Sequence, residues 1–259
     1  MDRDGSGDRV AAISAVLRSA VAAVAPDGVP VTLLFSGGLD SSLLAWWLAP
    51  RPGLRLATVG VPGSADLARA ERAAPSIGRP LDRLLVPPEE VPRRWAQFVA
   101  GSTDGSDPPS SVLFAFEIAF GHLPGRTVVV GQGADELFGG YARYDGVAPA
   151  DAAGLARRDL DRLLRQDWPR TVARARAHRI DLVAPFLDPA VRAAVTALAP
   201  GDRFDPRERK GLLRRIARAA GLPESMAGAP KQAIQYGSGL ARRLPRAPSR
   251  PGRDGAAPS

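Results

Sequence analysis

The chain has 259 residues, no cysteine and a formal net charge of +8 at pH 7. This length suits one α/β domain with a helical appendage, and 45% hydrophobic with 24% charged residues is typical of a folded globular protein. The lack of cysteine excludes disulfides, thiolate zinc sites and a cysteine nucleophile within these residues.

Charge and hydropathy patterns bear on location and partners. The first ten residues are acidic and glycine-rich, unlike a secretory signal, and the apolar stretch 111–120 is interrupted by Glu117 and is too short to span a bilayer. These features predict a cytoplasmic protein without a membrane partner. The excess arginine is spread along amphipathic segments and over residues 241–259, which favours a solvated basic surface over a nucleic-acid site.

Apolar periodicity divides the chain into alternating elements. In chain order it predicts helices over 10–24, 41–48, 65–78, 89–100 and 111–120, and strands over 29–35, 54–61, 83–87 and 126–131. Alternation of this kind indicates βαβ units and a parallel sheet of four strands, with room for a fifth.

The character of the sequence changes near Leu155. Segments rich in Ala, Arg and Leu follow, separated at Trp168-Pro169, Pro185 and Gly201, and they predict a C-terminal helical lobe. Residues 1–9 and 241–259 are predicted to be disordered, which leaves 10–240 as the folded domain.

The segment SGGLDSS, residues 36–42, lies between a buried strand and the start of a helix. Glycines let the backbone wrap closely around an anion, serine hydroxyls donate hydrogen bonds, and the helix N-terminus turns N–H groups toward negative charge. The Gly-Lys-Ser/Thr ending of a Walker A loop is missing. A carboxylate at Asp40 suits a site in which Mg²⁺ is held against phosphates.

This segment resembles the PP-loop of the ATP-pyrophosphatase families, which adenylate a substrate and release pyrophosphate. The resemblance implies an α/β fold of the HUP (adenine nucleotide alpha hydrolase-like) type, with ATP and Mg²⁺ as cofactors. It assigns nucleotide contacts to Leu34, Ser36, Gly37, Gly38, Asp40, Ser41 and Ser42.

A second segment, VVVGQGADELFGGYARY (residues 128–144), resembles the signature of asparagine synthetases and β-lactam synthetases. Gly131 and Gly133 are expected to let the backbone approach the nucleotide, and Asp135 to supply a second carboxylate for Mg²⁺ and a catalytic group. Because the carboxyl ends of parallel strands share one edge, Asp40 and Asp135 are expected to meet there.

Further stretches extend the resemblance over about residues 10–240. Residues 57–67 look like the part that frames the adenosine, with contacts from Val59, Gly60 and Val61, and residues 179–188 look like the family segment ending in Pro-Phe-Leu-Asp. Lys210 and Lys231 are the only lysines of the chain. The resemblance gives Lys210 a nucleotide contact and Lys231 the catalytic role of neutralising charge as pyrophosphate leaves.

The family resemblance implies an AMP-forming ligase that makes a C–N bond. Its default acid is aspartate, and ammonia or another amine captures the acyl-adenylate. The chain resembles a stand-alone synthetase domain without the glutaminase domain, so a separate glutaminase subunit is an expected partner. Gln132 departs from the pattern, because asparagine synthetases carry glutamate there and glutamine cannot accept a proton.

The sequence also allows three other hypotheses about function. The first is a specialised-metabolite amide or lactam ligase on the same scaffold. The second is a degenerate nucleotide-binding protein that supports a partner, which Gln132 favours and Asp40, Asp135 and Lys231 oppose. The third is a tRNA-modifying ATPase, which the basic charge favours.

Overall fold

The fold is a parallel β-sheet flanked by helices, as the sequence predicted, and it is seen in a computed structural model of the chain. The structure describes residues 4–101, 110–123, 126–229 and 237–244. Lys231, one of the predicted catalytic residues, lies outside the described residues.

Within the described residues the sheet has five strands in the order β3-β2-β1-β4-β5, and every neighbouring pair is parallel. The strands are β1 Val31–Leu34, β2 Leu54–Gly60, β3 Leu81–Leu85, β4 Thr127–Val129 and β5 Asp181–Val183. Four of them, β1 to β4, correspond to the predicted strands, although β3 begins and ends two residues earlier than predicted. The fifth, β5, lies in the part of the chain that was predicted to be a helical lobe.

Twelve α-helices occur in the described part of the chain. They are α1 Asp4–Ala22, α2 Leu39–Leu48, α3 Ala65–Ile77, α4 Val91–Ala100, α5 Ser111–Gly121, α6 Ala134–Phe138, α7 Pro149–Arg162, α8 Trp168–Ala177, α9 Pro189–Thr196, α10 Pro200–Arg203, α11 Gly211–Ala219 and α12 Glu224–Ala227. Helix α1 begins well before the predicted start at residue 10, and the predicted helix over 89–100 is a 3-10 turn followed by α4. Ala241–Arg243 form a further 3-10 turn inside the stretch that was predicted to be disordered.

The buried core of the protein is built around the central strands of the sheet. All four residues of β1 are buried, and the strands next to it contribute Leu54, Leu56 and Val128 to the same core. A continuous apolar run of this kind is what a strand covered on both faces requires. A small second cluster, formed by Tyr144, Ala152, Ala156 and Phe204, packs within the lobe.

The order of the strands places the two sequence motifs side by side. The chain leaves β1 toward β2 and β3 at one edge, and later returns to add β4 and β5 on the opposite side of β1. The boundary between β1 and β4 is therefore the topological switch point, and α/β sheets bind ligands in the crevice outside the strand ends there. Residues 36–42 follow β1, and the part of the signature from Gly131 to Asp135 follows β4.

No helix in the parts of the chain that the structure describes combines the length and the apolar character needed to cross a membrane.

Candidate functional site

The loop of residues 36–42, called the serine loop below, is internally hydrogen-bonded and leaves the start of α2 open. The Ser36 amide donates to Ser41 Oγ at 3.2 Å, and Ser41 Oγ donates to the Gly38 carbonyl at 3.2 Å. Gly38 is the N-cap residue and has extended backbone angles but no side chain with which to cap the helix. The first N–H groups of α2 are therefore arranged to receive an anion.

The signature segment turns sharply through glycines after β4. Gly133 has φ +95° and a Cβ there would lie 2.4 Å from Leu187 Cδ2, so the Pro185–Leu187 turn packs directly on the backbone. A Cβ on Gly131 would lie 3.4 Å from Asp40 Cβ, which shows that the signature touches the serine loop. The contact at Gly133 and its positive φ explain why glycine is needed there, whereas the contact at Gly131 is at an ordinary van der Waals distance.

Asp40 and Asp135 converge on one cation, which is the ammonium group of Lys210. Lys210 Nζ lies 2.7 Å from Asp40 Oδ1, 2.6 Å from Asp40 Oδ2 and 2.6 Å from Asp135 Oδ1. Lys210 is 3% exposed, while the two carboxylates are 23% and 18% exposed. The structure thus brings together three residues that the sequence had assigned to nucleotide and metal, although their roles remain predictions.

The charge of Lys210 is fixed by these neighbours. Burial by itself lowers the pKa of a lysine, but coulombic attraction to Asp135 and Asp40 outweighs burial, and the pKa of Lys210 is raised above its ordinary value. The residue also has φ +58°, which is rare for a side chain other than glycine. Its backbone strain is consistent with a position set by the site rather than by local preference.

Gly140 makes room for the carboxylate and the lysine. A Cβ at this position would lie 1.9 Å from Asp135 Oδ1 and 2.5 Å from Lys210 Cε. No side chain fits without moving both charged groups. No site role for Gly140 was predicted from the sequence.

Carboxylate oxygens are ligands that suit Mg²⁺, although in this structure the oxygens of Asp40 and Asp135 meet at Lys210 Nζ. Asp40 and Asp135 already direct three oxygens at a single point. A group of three or more His, Cys, Asp or Glu side chains suited to a metal is absent from the described ranges. Two carboxylates alone are typical of a Mg²⁺ that also binds phosphates and water.

The predicted adenosine contacts lie at the end of β2. The side chains of Val59 and Val61 are buried, as is that of Leu34, so contact with a ligand would come from their backbone. The Val61 amide donates to the Ser238 carbonyl at 3.0 Å. A Cβ on Gly60 would lie 2.5 Å from Ser64 Oγ and 3.0 Å from the same carbonyl, so only glycine fits here.

Gln132 lies half-buried between the two glycines of the signature. Its Oε1 is buried and has no hydrogen-bond partner among the described residues. Ser42, in the first turns of α2, is fully buried and its Oγ likewise lacks a partner within the described ranges. Buried polar atoms normally find partners, and the partly exposed Gln132 is the one of the two that a ligand could contact.

Helix α6 carries Asp135 and is held in place by buried polar contacts. Arg203 is 6% exposed and donates to the Leu137 and Glu136 carbonyls at 2.5 and 2.9 Å. Burial lowers the pKa of Arg203 to about 10. Tyr141 donates to Glu136 Oε1 at 2.5 Å, and burial raises the pKa of that carboxyl group.

Arg214 supports the segment on the other side of the site. It is 9% exposed and donates to the Ala227 and Ala229 carbonyls at 2.5 and 3.1 Å. Neither Arg203 nor Arg214 was singled out from the sequence, because nothing distinguishes them from the other arginines of this arginine-rich chain.

Comparisons with known proteins point to one family. The profile of the family described as asparagine synthase matches residues 12–175 and 148–247. The chain is 28% identical over 251 residues to a Methanocaldococcus jannaschii protein assigned as asparagine synthetase (glutamine-hydrolyzing) 1, covering 81% of this chain and 46% of that protein. It is 27% identical over 238 residues to asparagine synthetase B (glutamine-hydrolyzing) of Escherichia coli, covering 82% and 42%. The chain spans less than half the length of these relatives.

Proposed function

Because the chain belongs to the asparagine synthase family, we propose that it is an ATP-dependent ligase that activates a carboxylic acid as its adenylate and converts it to an amide. The observation that carries this proposal is the meeting of Asp40, Asp135 and Lys210 at the switch point of the sheet, beside the open N-terminus of α2. Nucleotide, Mg²⁺ and phosphate contacts are needed at one place in such a reaction, and these groups supply them.

The first step forms the adenylate. A carboxylate oxygen of the acid attacks the α-phosphorus of ATP, the bond from this phosphorus to the bridging oxygen breaks, and pyrophosphate leaves. The serine loop holds the phosphates through α2 N–H groups, and the strand ends at Gly60 and Gly131 frame the nucleoside. Asp40 and Asp135 would hold Mg²⁺, which offsets the charge of the phosphates when bound.

The second step forms the amide. The nitrogen of ammonia or an amine attacks the acyl carbon, AMP leaves, and the nitrogen loses a proton. Aspartate is the default acid, because the relatives are named as asparagine synthetases. Those names also describe glutamine hydrolysis, and in this chain, which has no cysteine, we propose that ammonia or another amine is supplied from elsewhere.

Gln132 supports a second candidate, an amide or lactam ligase of a specialised pathway. The family resemblance places glutamate at this position, whereas Gln132 presents a buried amide oxygen without a partner among the described residues. An amide cannot take the proton that ammonia loses when its nitrogen attacks the acyl carbon, but it can accept a hydrogen bond from a different amine. The acid and the amine are therefore both open to test.

The test is exchange of radiolabelled pyrophosphate into ATP across a panel of carboxylic acids that includes aspartate. We expect exchange that depends on Mg²⁺ and on one class of acid, and loss of this exchange in Asp40→Asn. The matched control is Asp161→Asn, an exposed carboxylate on α7. ATP binding without exchange for any acid would contradict the ligase and favour a nucleotide-binding protein.

A further inference from the structure

Helix α3 lies directly against the serine loop, and one of its residues contacts the loop through both backbone and side chain. Gly37 has φ +67°, and a Cβ there would lie 2.7 Å from the Arg69 carbonyl oxygen. The backbone of Arg69 is thus in close contact with the loop, and this fixes where its side chain can reach.

The Arg69 guanidinium lies near Gly38, the N-cap residue of α2, which has no side chain to cap the helix. An N-cap side chain normally places an oxygen over the first N–H groups of its helix. Because the N-cap residue of α2 is glycine, no side-chain oxygen of that residue fills this volume, and another group can occupy it. The place where a Gly38 Cβ would stand lies 3.4 Å from Ser36 Oγ and 3.7 Å from Arg69 Nη1. An oxyanion replacing the missing cap would be within reach of both donors.

We propose that Arg69 is a phosphate-binding residue, which contacts the pyrophosphate portion of ATP at the N-terminus of α2. This inference rests on the proposed function and adds a residue that the family signature did not indicate. A guanidinium offers five N–H donors and pairs well with phosphate oxygens.

The charges nearest the start of α2 favour a positively charged residue there. Asp40 and Asp135 together carry two negative charges, and Lys210 between them carries one positive charge. This cluster alone repels pyrophosphate. Arg69 lies on α3 against the serine loop, and its guanidinium favours an anion where the α2 dipole already attracts one.

Asp66 holds Arg69 in this place. Its Oδ1 lies 3.4 Å from Arg69 Nη1, one helical turn away, and the Asp66 and Arg69 side chains are 2% and 13% exposed. A buried carboxylate that orients a guanidinium limits its rotamers before the ligand arrives. Binding then costs less side-chain entropy.

The experiment is calorimetric titration of the whole chain with Mg-pyrophosphate, ATP and AMP. AMP lacks the pyrophosphate group and reports the nucleoside portion of the site. The variants are Arg69→Met, which removes the charge, and Arg69→Lys, which keeps it. The matched control is Arg72→Met, an exposed arginine three residues along the same helix.

For Arg69→Met we expect pyrophosphate and ATP to bind roughly 10- to 100-fold more weakly, which is the scale of one lost hydrogen bond to a charged group. AMP should bind within about twofold of wild type, Arg69→Lys should lie between, and Arg72→Met should match wild type. Arg69→Lys also covers the case in which Arg69→Met does not fold, because lysine can still pair with Asp66.

Two results would overturn the inference while leaving the proposed function intact. Unchanged pyrophosphate binding in a folded Arg69→Met would show that the guanidinium does not reach the phosphates. Equal weakening of AMP and pyrophosphate would show that Arg69 only ties α3 to the loop. A wild-type chain that binds neither ATP nor pyrophosphate would overturn the proposed function, and this inference with it.

Discussion

Lys210 Nζ lies 2.6 Å from Oδ2 of Asp40, a residue 170 positions away in the chain. The same ammonium group contacts Asp135, so one cation joins the loop after β1 to the segment after β4. An ammonium group and Mg²⁺ both neutralise paired carboxylates, so the proposed Mg²⁺ would compete with Lys210 for the same oxygens.

Lys210→Met should destabilise the fold and increase its response to Mg²⁺. Removing the buried cation leaves two carboxylates facing each other, and losing one partner of a buried ion pair costs about 3 to 5 kcal/mol. Urea unfolding would measure that loss. Added Mg²⁺ should raise the melting temperature of the variant more than that of wild type, because the ammonium no longer competes for the carboxylates.

The control for this change is Arg209→Met. Arg209 precedes Lys210 and pairs with Asp145, but both side chains are at least one-third exposed. Its loss should cost under about 1 kcal/mol and leave the Mg²⁺ response unchanged. An equal Mg²⁺ response in wild type and Lys210→Met would count against a metal at these carboxylates.

Asp40→Asn and Asp135→Asn should each lower pyrophosphate exchange by about 100-fold or more. Each change removes a negative charge that would hold Mg²⁺ against the phosphates. Thermal unfolding should show that both variants remain folded, since asparagine keeps the shape of the side chain. Near-normal exchange in either variant would remove that residue from the metal site.

Gly140→Ala tests the same site without removing any functional group. The added methyl would meet Asp135 Oδ1 at 1.9 Å and Lys210 Cε at 2.5 Å, so the ion pair has to separate. We expect exchange to fall as far as in Asp135→Asn. Gly154→Ala is the control, because nothing lies near its Cβ in α7, and this change should stabilise the helix by roughly 0.5 to 1 kcal/mol.

Gly38→Asp should stabilise the fold and weaken the binding of pyrophosphate. The residue has extended angles (φ −81°, ψ 167°), and its Cβ meets only ordinary contacts, so an aspartate can cap α2. We expect about 1 kcal/mol of added stability in urea unfolding and a clear loss of pyrophosphate binding, because the carboxylate occupies the anion position. Gly38→Ala, which adds only the methyl group, should retain most of the binding.

The sequence predicted most of the sheet and both motifs because those features are local. Continuous apolar runs indicated four strands, and glycines with an aspartate after two of them indicated where the site lies. The strand β5 was missed because three residues, Asp181–Val183, give too short a pattern in an arginine-rich stretch.

The contacts among the charged groups were not predictable in the same way. Arg69, Arg203 and Arg214 gain their positions only when distant elements pack together. In a chain with 35 lysines and arginines, residue type alone does not separate these from surface charges. Lys210 stood out because only two lysines occur, but its contact with both carboxylates required the fold.

Gln132 has a buried Oε1 without a partner among the described residues, and changing this residue tests which nitrogen donor the chain uses. If the chain uses ammonia, Gln132→Glu should raise amide formation from ammonium while pyrophosphate exchange stays within about twofold, because only the nitrogen step needs a proton acceptor. The two steps are measured separately, as exchange and as amide product at saturating ammonium. The matched control is Gln132→Leu, which removes the hydrogen-bond acceptor. It should lower amide formation at every ammonium concentration.

Other outcomes assign the nitrogen donor or reject the ligase. Exchange that persists with no amide from ammonium in Gln132→Glu would contradict ammonia and favour a different amine, for which the native amide oxygen accepts a hydrogen bond. In that case wild type should form product with the correct amine and Gln132→Glu should lose it, since a buried glutamate would add a third negative charge to those of Asp40 and Asp135. Absence of exchange in wild type and in both variants, for every acid tested, would leave nucleotide binding as the function of this site.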